Sequence, residues 1–275
     1  DELIFNSFLK SVWIDHPYTK SILGEEENIN EIELNDLHNF HKKYYIPINS
    51  CIAIAGKLPK NYLEIFNNCE FRESRKNLTD SKQICLDNKT IKKGREIAFF
   101  KDIEFTRIFM TWQIPYAKDQ KNILGYEIIS SILTDGRNSI LNRKLKEEKQ
   151  IVESIYSGIQ PGEFGSLFII EASLERENLK KVEDIINNLL QELLTNSKLS
   201  NKIKKALRIV KSNYIFNLET SSQLSQFYGN HLLWGRLNPQ IELNKNFKYW
   251  KSTENLRKLI KFLLQDKFTF IAYKI

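Results

Sequence analysis

Residues 151–173, IVESIYSGIQPGEFGSLFIIEAS, decide the fold class of this 275-residue chain. They contain two runs rich in β-branched and large apolar residues, Ile151 to Ile159 and Ser166 to Ser173, which are joined through Pro161-Gly162. Short runs of this composition, bounded by glycine and proline, are typical of β-strands. The segment therefore predicts two strands with a connecting turn.

Strand patterns and helix patterns continue on both sides of this segment. Strands precede and follow a long helical block, and that order predicts an α+β fold, an antiparallel sheet with helices packed on one face. We therefore expect residues 96–275 to form one complete domain. The other predicted strands are Glu96 to Phe100, Thr106 to Ile114 and Phe268 to Tyr273, and the predicted helices include about Asp119 to Leu133, Ile140 to Lys149, Leu179 to Leu194 and Glu254 to Leu264.

Residues 1–71 carry a separate pattern with too few strands for a sheet. A lone strand leaves its backbone polar groups unpaired, so this part of the chain needs support from elsewhere. We expect it to be the C-terminal part of an incomplete first domain. The predicted elements are helices over 1–13, Leu34 to Tyr45 and Asn61 to Phe66, and a buried strand over Ser50 to Ala55.

The two patterns are separated by residues 72–95, which are polar and charged. Such a composition is typical of a linker, so we place a domain boundary there. The chain also opens inside a helix pattern and without a methionine, which indicates a fragment of a longer protein. No stretch approaches the roughly 18 uncharged apolar residues of a transmembrane helix, so no membrane span is expected.

The composition is basic, with 41 Lys and Arg against 34 Asp and Glu and a net charge of +7. The richest basic stretch, residues 202–211, also has apolar residues at helical spacing, which predicts a packed helix with a basic outer face. No nucleic-acid-binding motif accompanies the charge, and we expect no nucleic-acid partner. The three cysteines lie far apart, which excludes a C-x-x-C motif, and Cys51 is predicted to fill a core position.

Several short motifs follow one another along the chain. They are Asp15-His16-Pro17-Tyr18, Ile22-Leu23-Gly24, Tyr44-Tyr45-Ile46-Pro47-Ile48-Asn49 and Ile52-Ala53-Ile54-Ala55-Gly56, followed by Ser139, Leu141, Leu145, Glu147, Pro161-Gly162 and Phe164. In order and spacing, these motifs together resemble the M16 (insulinase-type, pitrilysin-related) zinc peptidases. The resemblance implies α+β domains, two of which form half of a clam-shaped peptidase chamber. This chain would hold the C-terminal part of the first domain and the whole second domain.

The zinc motif of that family, His-x-x-Glu-His, is absent from the sequence. A further family Glu ligand would fall before residue 1. We therefore assign no catalytic, cofactor-binding or metal-ligating residue to this chain, and the resemblance implies zinc in the full-length parent or in a partner half. His38 and His41 are spaced to share a metal on a helix, but no third ligand accompanies them, which favours a packing role. The resemblance makes His16 structural.

Two positions depart from the family pattern in the second domain. The family often carries an Arg in a pattern like S-R-L and a Tyr in a pattern like L-A-Y-S, both of which hold substrate. An ungapped alignment places Ile140 at the Arg and Glu153 at the Tyr. Tyr156 is three residues further along a predicted strand and is a poor substitute.

These features leave two principal hypotheses. The first is the non-zinc portion of an M16-like half-chamber, which shapes the peptide cleft of a zinc-dependent endopeptidase and is inactive alone. The second is a catalytically inactive M16-like subunit with a scaffold or assembly role, which the changes at Ile140 and Glu153 favour. In either case the expected partners are the N-terminal segment of the parent chain and a second M16-like half or subunit, with a peptide as substrate. A generic basic binding module is a third, weaker candidate.

Overall fold

The computed structural model describes residues 2–68 and 90–275, which form two compact units. Of the described residues, the first unit contains 2–20, 90–212 and 242–275, and the second contains 21–68 and 213–241. Residues 72–89 of the predicted linker, with Cys85, and Cys69 lie outside the described residues. The boundaries predicted at 71 and 96 stay a prediction.

A five-stranded sheet with the order β1-β5-β2-β4-β3 forms the centre of the first unit. All neighbouring pairs are antiparallel except β1 and β5, which run parallel. The predicted α+β class is confirmed, and every predicted strand of residues 96–275 is present. The strands are β1 (Gly94–Phe100), β2 (Thr106–Ile114), β3 (Ser154–Gln160), β4 (Ser166–Leu174) and β5 (Phe268–Lys274).

Helices cover one face of this sheet, as the sequence predicts. The ring of Tyr126 on α5 (Gln120–Thr134) packs 5.7 Å from that of Phe168 on β4. The indole N–H of Trp250 donates to the Lys121 carbonyl at 2.6 Å. The first contact joins the helical layer to a strand, and the second joins two segments within the helical layer. The helices of this part of the chain are α5 (Gln120–Thr134), α6 (Leu179–Thr195), α7 (Leu199–Phe216), α9 (Pro239–Tyr249) and α10 (Thr253–Phe262).

The opposite face of the sheet is partly covered by α1 (Glu2–Val12). Phe8 stacks on Phe109 of β2 with ring centroids 4.9 Å apart and lies 6.0 Å from Phe270 of β5. Ile4, Phe8 and Val12 are buried, because they recur on one side of the helix and turn toward the strands. The apolar stripe of the first helix is therefore buried against the sheet of the second sequence pattern.

The second unit is helical in its described residues. It contains α2 (Glu26–Asn30), α3 (Leu34–Tyr44), α4 (Tyr62–Asn67) and α8 (Ser221–Leu233). The buried strand predicted over Ser50 to Ala55 is wrong, since this stretch forms no strand, and Ile52 and Ile54 are at least half exposed. No described strand pairs with it, and an extended segment without a partner is not a strand. Cys51 is half-buried and donates to the Gly229 carbonyl, 3.1 Å away.

Large apolar side chains of the second unit are exposed. On α3, Leu34, Leu37 and Phe40 are exposed by 70%, 56% and 56%, and together they form one side of the helix. Ile22 and Ile48 are also open to solvent. Contiguous exposed apolar surface on a folded protein marks an interaction site. No helix among the described residues is both long and apolar enough to cross a membrane.

Candidate functional site

The positions that the family pattern marks lie in the α5–β3 segment, which we define as residues 135–153. A π-helix, Asn142–Glu148, forms its middle. The segment begins with a tight turn, in which the Ser139 hydroxyl donates to the Gly136 carbonyl at 2.7 Å. The Asn142 amide then donates back to the carbonyl of Thr134, the last residue of α5, at 2.6 Å. These bonds fix how the chain leaves α5, and π-helical turns are often found at functional sites.

A buried hydroxyl cluster joins the two elements that flank the segment. The Thr134 hydroxyl accepts from the Ser157 backbone N–H at 3.0 Å and lies 2.8 Å from the Ser157 hydroxyl. The Ser130 hydroxyl donates to the Ser157 carbonyl at 2.7 Å. Because buried hydrogen bonds of this kind are costly to break, α5 and the edge strand β3 hold one relative position.

The end of the segment is fixed by backbone contacts. The Ile151 N–H donates to the Leu145 carbonyl at 3.1 Å, and the Glu153 N–H donates to the Ser173 carbonyl on β4 at 2.8 Å. The Lys146 ammonium donates to the Glu153 carbonyl at 2.6 Å. Gln150 has a φ of +52°, a left-handed conformation that turns the chain back toward the sheet. The segment is therefore held at both ends.

The two marked positions present different surfaces. Ile140 is half-buried at the start of the segment, and Glu153 is exposed next to β3. Neither side chain offers the guanidinium or phenol of the family pattern. Tyr156 is exposed on β3, and its hydroxyl lies over Gly158, two residues along the same strand. The segment thus supplies shape at Ile140 and charge at Glu153. Neither an aliphatic side chain nor a carboxylate can donate a hydrogen bond.

Ion pairs cover the outer surface of the segment. Arg137 contacts Glu147 at 2.6 Å, and this hydrogen bond raises the pKa of the Arg137 guanidinium. Glu148 contacts Lys144 at 2.9 Å and Arg143 at 3.3 Å, and the hydrogen bond from Lys144 holds the pKa of Glu148 below its usual range. These groups lie at the surface in contact with water, where single ion pairs contribute little stability.

A polar strip made of Arg107, Glu171 and Tyr156 crosses β2, β4 and β3, on the sheet face that α1 covers in part. Arg107 of β2 and Glu171 of β4 form an ion pair at 2.7 Å, and Tyr156 is the direct cross-strand partner of Glu171. Burial raises the pKa of Glu171, while Arg107 acts in the opposite direction. Three adjacent strands therefore present a charged pair and an exposed phenol on one surface.

The four histidines do not assemble into a metal site. His38 and His41 are exposed on α3, and the ring of His41 stacks 4.8 Å from that of Tyr45. His16 and His231 are buried. No group of three or more His, Cys, Asp or Glu side chains able to hold a metal occurs within residues 2–68 and 90–275. The described residues therefore do not fit a zinc ion.

His16 has a structural role, as the resemblance implies. Its ring lies 4.5 Å from that of Trp13, and its Nδ1 accepts a hydrogen bond from the Tyr18 backbone N–H at 3.1 Å. That bond caps the short 3-10 helix Pro17–Thr19. Tyr18 then packs against Gly162 in the β3–β4 turn. Two motifs that are far apart in the sequence, Asp15 to Tyr18 and Pro161-Gly162, are thus in contact.

Solved structures of other proteins share this fold. A protease from Helicobacter pylori superposes with a TM-score of 0.76 at 19% identity, covering 98% of this chain and 66% of that one. A peptidase M16 inactive domain from Pseudomonas fluorescens gives a TM-score of 0.74 at 16% identity, covering 100% of this chain and 66% of that one. The fold is that of M16-like peptidase domains.

A family model described as the peptidase M16 inactive domain matches residues 31–207, more than half of the chain. This chain belongs to the peptidase M16 family and contains its inactive domain. The zinc protease PqqE of Helicobacter pylori is 23% identical over 263 residues, covering 93% of this chain. The chain spans 58% of the length of that relative.

Two features of this part of the molecule are not predicted by the sequence analysis. The first is the hydroxyl cluster around Thr134 and Ser157, for which the signal is weak, since isolated Ser and Thr residues are common in both helices and strands. The second is the contact between Tyr18 and the β3–β4 turn. Gly162 is a signal for it, because glycine in a strand connection often marks close approach by another group.

Proposed function

We propose that this chain is the non-zinc portion of an M16-like peptidase half-chamber and shapes the peptide cleft of a zinc-dependent endopeptidase. The zinc and its ligands would lie in the N-terminal segment of the parent chain or in a partner half. By itself the chain would bind peptide weakly and cleave nothing. The exposed apolar surface of residues 21–68 carries this proposal.

That surface has the character of an unfinished core. An 11-residue helix such as α3 is marginal by itself in water and gains most of its stability by burying an apolar side. Leu34, Leu37 and Phe40 instead face solvent. A folded segment that covers them would remove a large apolar area from water, at about 25 cal/mol per Å². We infer that the covering segment is the zinc-bearing N-terminal part of the same M16-like domain.

The contribution to the cleft rests on the α5–β3 segment. The hydrogen bonds of Asn142 and Glu153, and the Thr134–Ser157 bond between the flanking elements, support a fixed surface. The two family-marked positions of the segment carry Ile140 and Glu153. An aliphatic side chain and a carboxylate can define the shape and charge preference of a cleft. They cannot donate to a peptide carbonyl as it gains negative charge. The proposed role is therefore selection and positioning of peptide.

A catalytically inactive subunit with a scaffold role is the alternative. The same two residues favour it, because both substrate-holding side chains of the family pattern are replaced. The two functions differ in what the parent protein does. A cleft-shaping half belongs to a protein with zinc-dependent peptidase activity, whereas a scaffold half belongs to an assembly without activity of its own.

The test compares the chain alone with the full-length parent. Amide hydrogen exchange of residues 34–44 should be fast in the chain alone and at least about tenfold slower in the parent, because covering α3 protects its backbone. A quenched-fluorescence peptide library then measures cleavage with and without a zinc chelator. Chelator-sensitive cleavage supports the cleft role. Protection of α3 without any cleavage supports the scaffold, and equal exchange in both proteins contradicts the proposed covering of this surface.

A further inference from the structure

A concave surface lies on the helical layer, between α7 and α9. It contains an open cavity of about 690 Å³, within the range of small-molecule pockets. Its floor is apolar and consists of Ile203, Leu207 and Phe247, of which Ile203 and Phe247 are buried and Leu207 is half-buried. Its rim is basic. We call it the α7–α9 cavity.

Five cationic side chains line the rim. Those on α7 are spaced by four and then three residues, so they lie along one stripe of the helix. The stripe is about 10 Å long, since an α-helix rises 1.5 Å per residue. The two remaining cations form a matching stripe at and just beyond the end of α9. The five residues are Lys204, Arg208, Lys211, Lys248 and Lys251.

These cations have no acidic partner in the part of the chain that the structure describes. The sequence of α7 contains no acidic residue, and the one acid of α9, Glu242, does not line the cavity. Positive charge is therefore concentrated here without compensation.

The combination of floor and rim defines the ligand. A cationic rim attracts a polyanion, and a recessed apolar floor favours an apolar group at its centre. Nucleic acid fits poorly, because Phe247 is buried and no exposed aromatic ring among the lining residues is available to stack on a base. A membrane surface fits poorly as well, because the apolar residues lie at the bottom of a depression and cannot reach into a bilayer.

We propose that the α7–α9 cavity binds an acidic peptide segment of a partner protein, in which several Asp or Glu residues flank one large apolar side chain. The carboxylates pair with the rim, and the apolar side chain contacts Leu207 on the floor. This site lies on different elements from the α5–β3 segment. It goes beyond the proposed function, since it gives this domain a docking surface for a partner that is separate from the cleft.

The probe is a fluorescein-labelled nine-residue peptide with a central Leu and Asp or Glu at the flanking positions, titrated with the full chain by fluorescence anisotropy. Binding should weaken steeply between about 0.05 and 0.5 M salt, since exposed charges are screened. Replacing the central Leu of the peptide by Ser should weaken binding about fivefold or more, because burial of that side chain is lost.

Two variants carry the same change in net charge, one at the rim of the cavity and one elsewhere on the surface. Arg208→Glu with Lys248→Glu reverses two rim cations and should weaken binding about tenfold or more. Lys180→Glu with Lys181→Glu makes the same change in net charge on the exposed side of α6 and should leave binding within about twofold. All four side chains are exposed. Circular dichroism and thermal unfolding check that both variants remain folded.

Three results would overturn the proposal. The first is that the folded chain fails to bind the peptide at low salt. The second is equal weakening by the rim variant and the α6 variant, which indicates attraction to the overall charge only. The third is tighter binding of a single-stranded oligonucleotide of the same charge, with the same loss in the rim variant, which assigns the cavity to nucleic acid.

Discussion

The hydroxyl of Tyr18 accepts a hydrogen bond from the backbone N–H of Phe164, 3.2 Å away, and so connects two residues 146 positions apart. The Tyr18 ring also lies against Gly162, so any side chain at position 162 would overlap with the Tyr18 ring. This contact attaches the turn after α1 to the β3–β4 connection. It gives the motif from Asp15 to Tyr18 a physical function that is independent of metal chemistry.

Gly162→Ala is expected to destabilise the protein by roughly 1–3 kcal/mol, the usual cost of overpacking. The new methyl group would lie 2.7 Å from Cε2 of Tyr18 and against the backbone carbonyl of Gly165, which cannot easily move away. Urea unfolding measures the change. Gly229→Ala on α8 is the control, because its methyl group would meet only Ala53 at 3.5 Å. Equal effects of the two substitutions would contradict the proposed packing of Tyr18.

Thr134→Val should cost roughly 1–3 kcal/mol, because the buried N–H of Ser157 loses its acceptor while the shape of the side chain is kept. Thr134→Ser retains the hydroxyl and should cost less, although it loses a buried methyl group. The free energy of unfolding of the two variants gives the comparison. Should the valine variant be as stable as the serine variant, the hydroxyl cluster would not be what holds α5 to β3.

In the full-length parent, Ile140→Ala should change stability more than turnover, because Ile140 is half-buried and offers no donor to substrate. Glu153→Ala should leave any peptidase activity within a few fold. The measurements are kcat/KM for a fluorogenic peptide and the thermal midpoint of each variant. Loss of all activity in a variant that unfolds normally would mean that this half takes a direct part in catalysis.

Burial raises the pKa of the Tyr126 phenol, with a smaller contribution from Asp119. As the pH rises above 10, the unfolded chain loses this proton while the folded protein keeps it, so folding becomes less favourable. Tyr126→Phe should therefore match the wild type near pH 7 and exceed it by roughly 1.4 kcal/mol at pH 11, one unit above the ordinary pKa. Urea unfolding at several pH values measures this. A constant difference between the two proteins would contradict it.

The chain is expected to bind zinc only weakly and non-specifically. His38 and His41 are exposed, and no third ligand accompanies them among the described residues. Metal analysis after dialysis should find far less than one zinc per chain. The variant with His38→Ala and His41→Ala should give the same value. Stoichiometric zinc that disappears in this variant would show a site on α3.

Local composition and spacing in the sequence predict most of the helices and strands of the first unit. The strand-like composition of Thr106 to Ile114 predicts β2, and the apolar spacing around Ile203 predicts α7. Contacts that depend on tertiary placement are not predicted in this way. The stretch from Ser50 to Ala55 has a strand-like composition, yet a strand needs a partner that this composition cannot specify. The basic outer face of α7 is predicted, but its combination with α9 into a cavity requires the folded chain.

The position of β5 in the sheet has a consequence for synthesis of the protein. β5 (Phe268–Lys274) lies between β1 and β2, and it pairs Phe268 with Gly94. During synthesis, β1 is therefore made long before β5, its neighbour among the described strands. The apolar side of α1 likewise lacks its contact with Phe270 until β5 has been made. Pairing of such distant residues is slow. Products that terminate before residue 268 lack the strand that joins the two parts of the sheet, and they become targets for chaperones and proteases rather than smaller working versions of the domain.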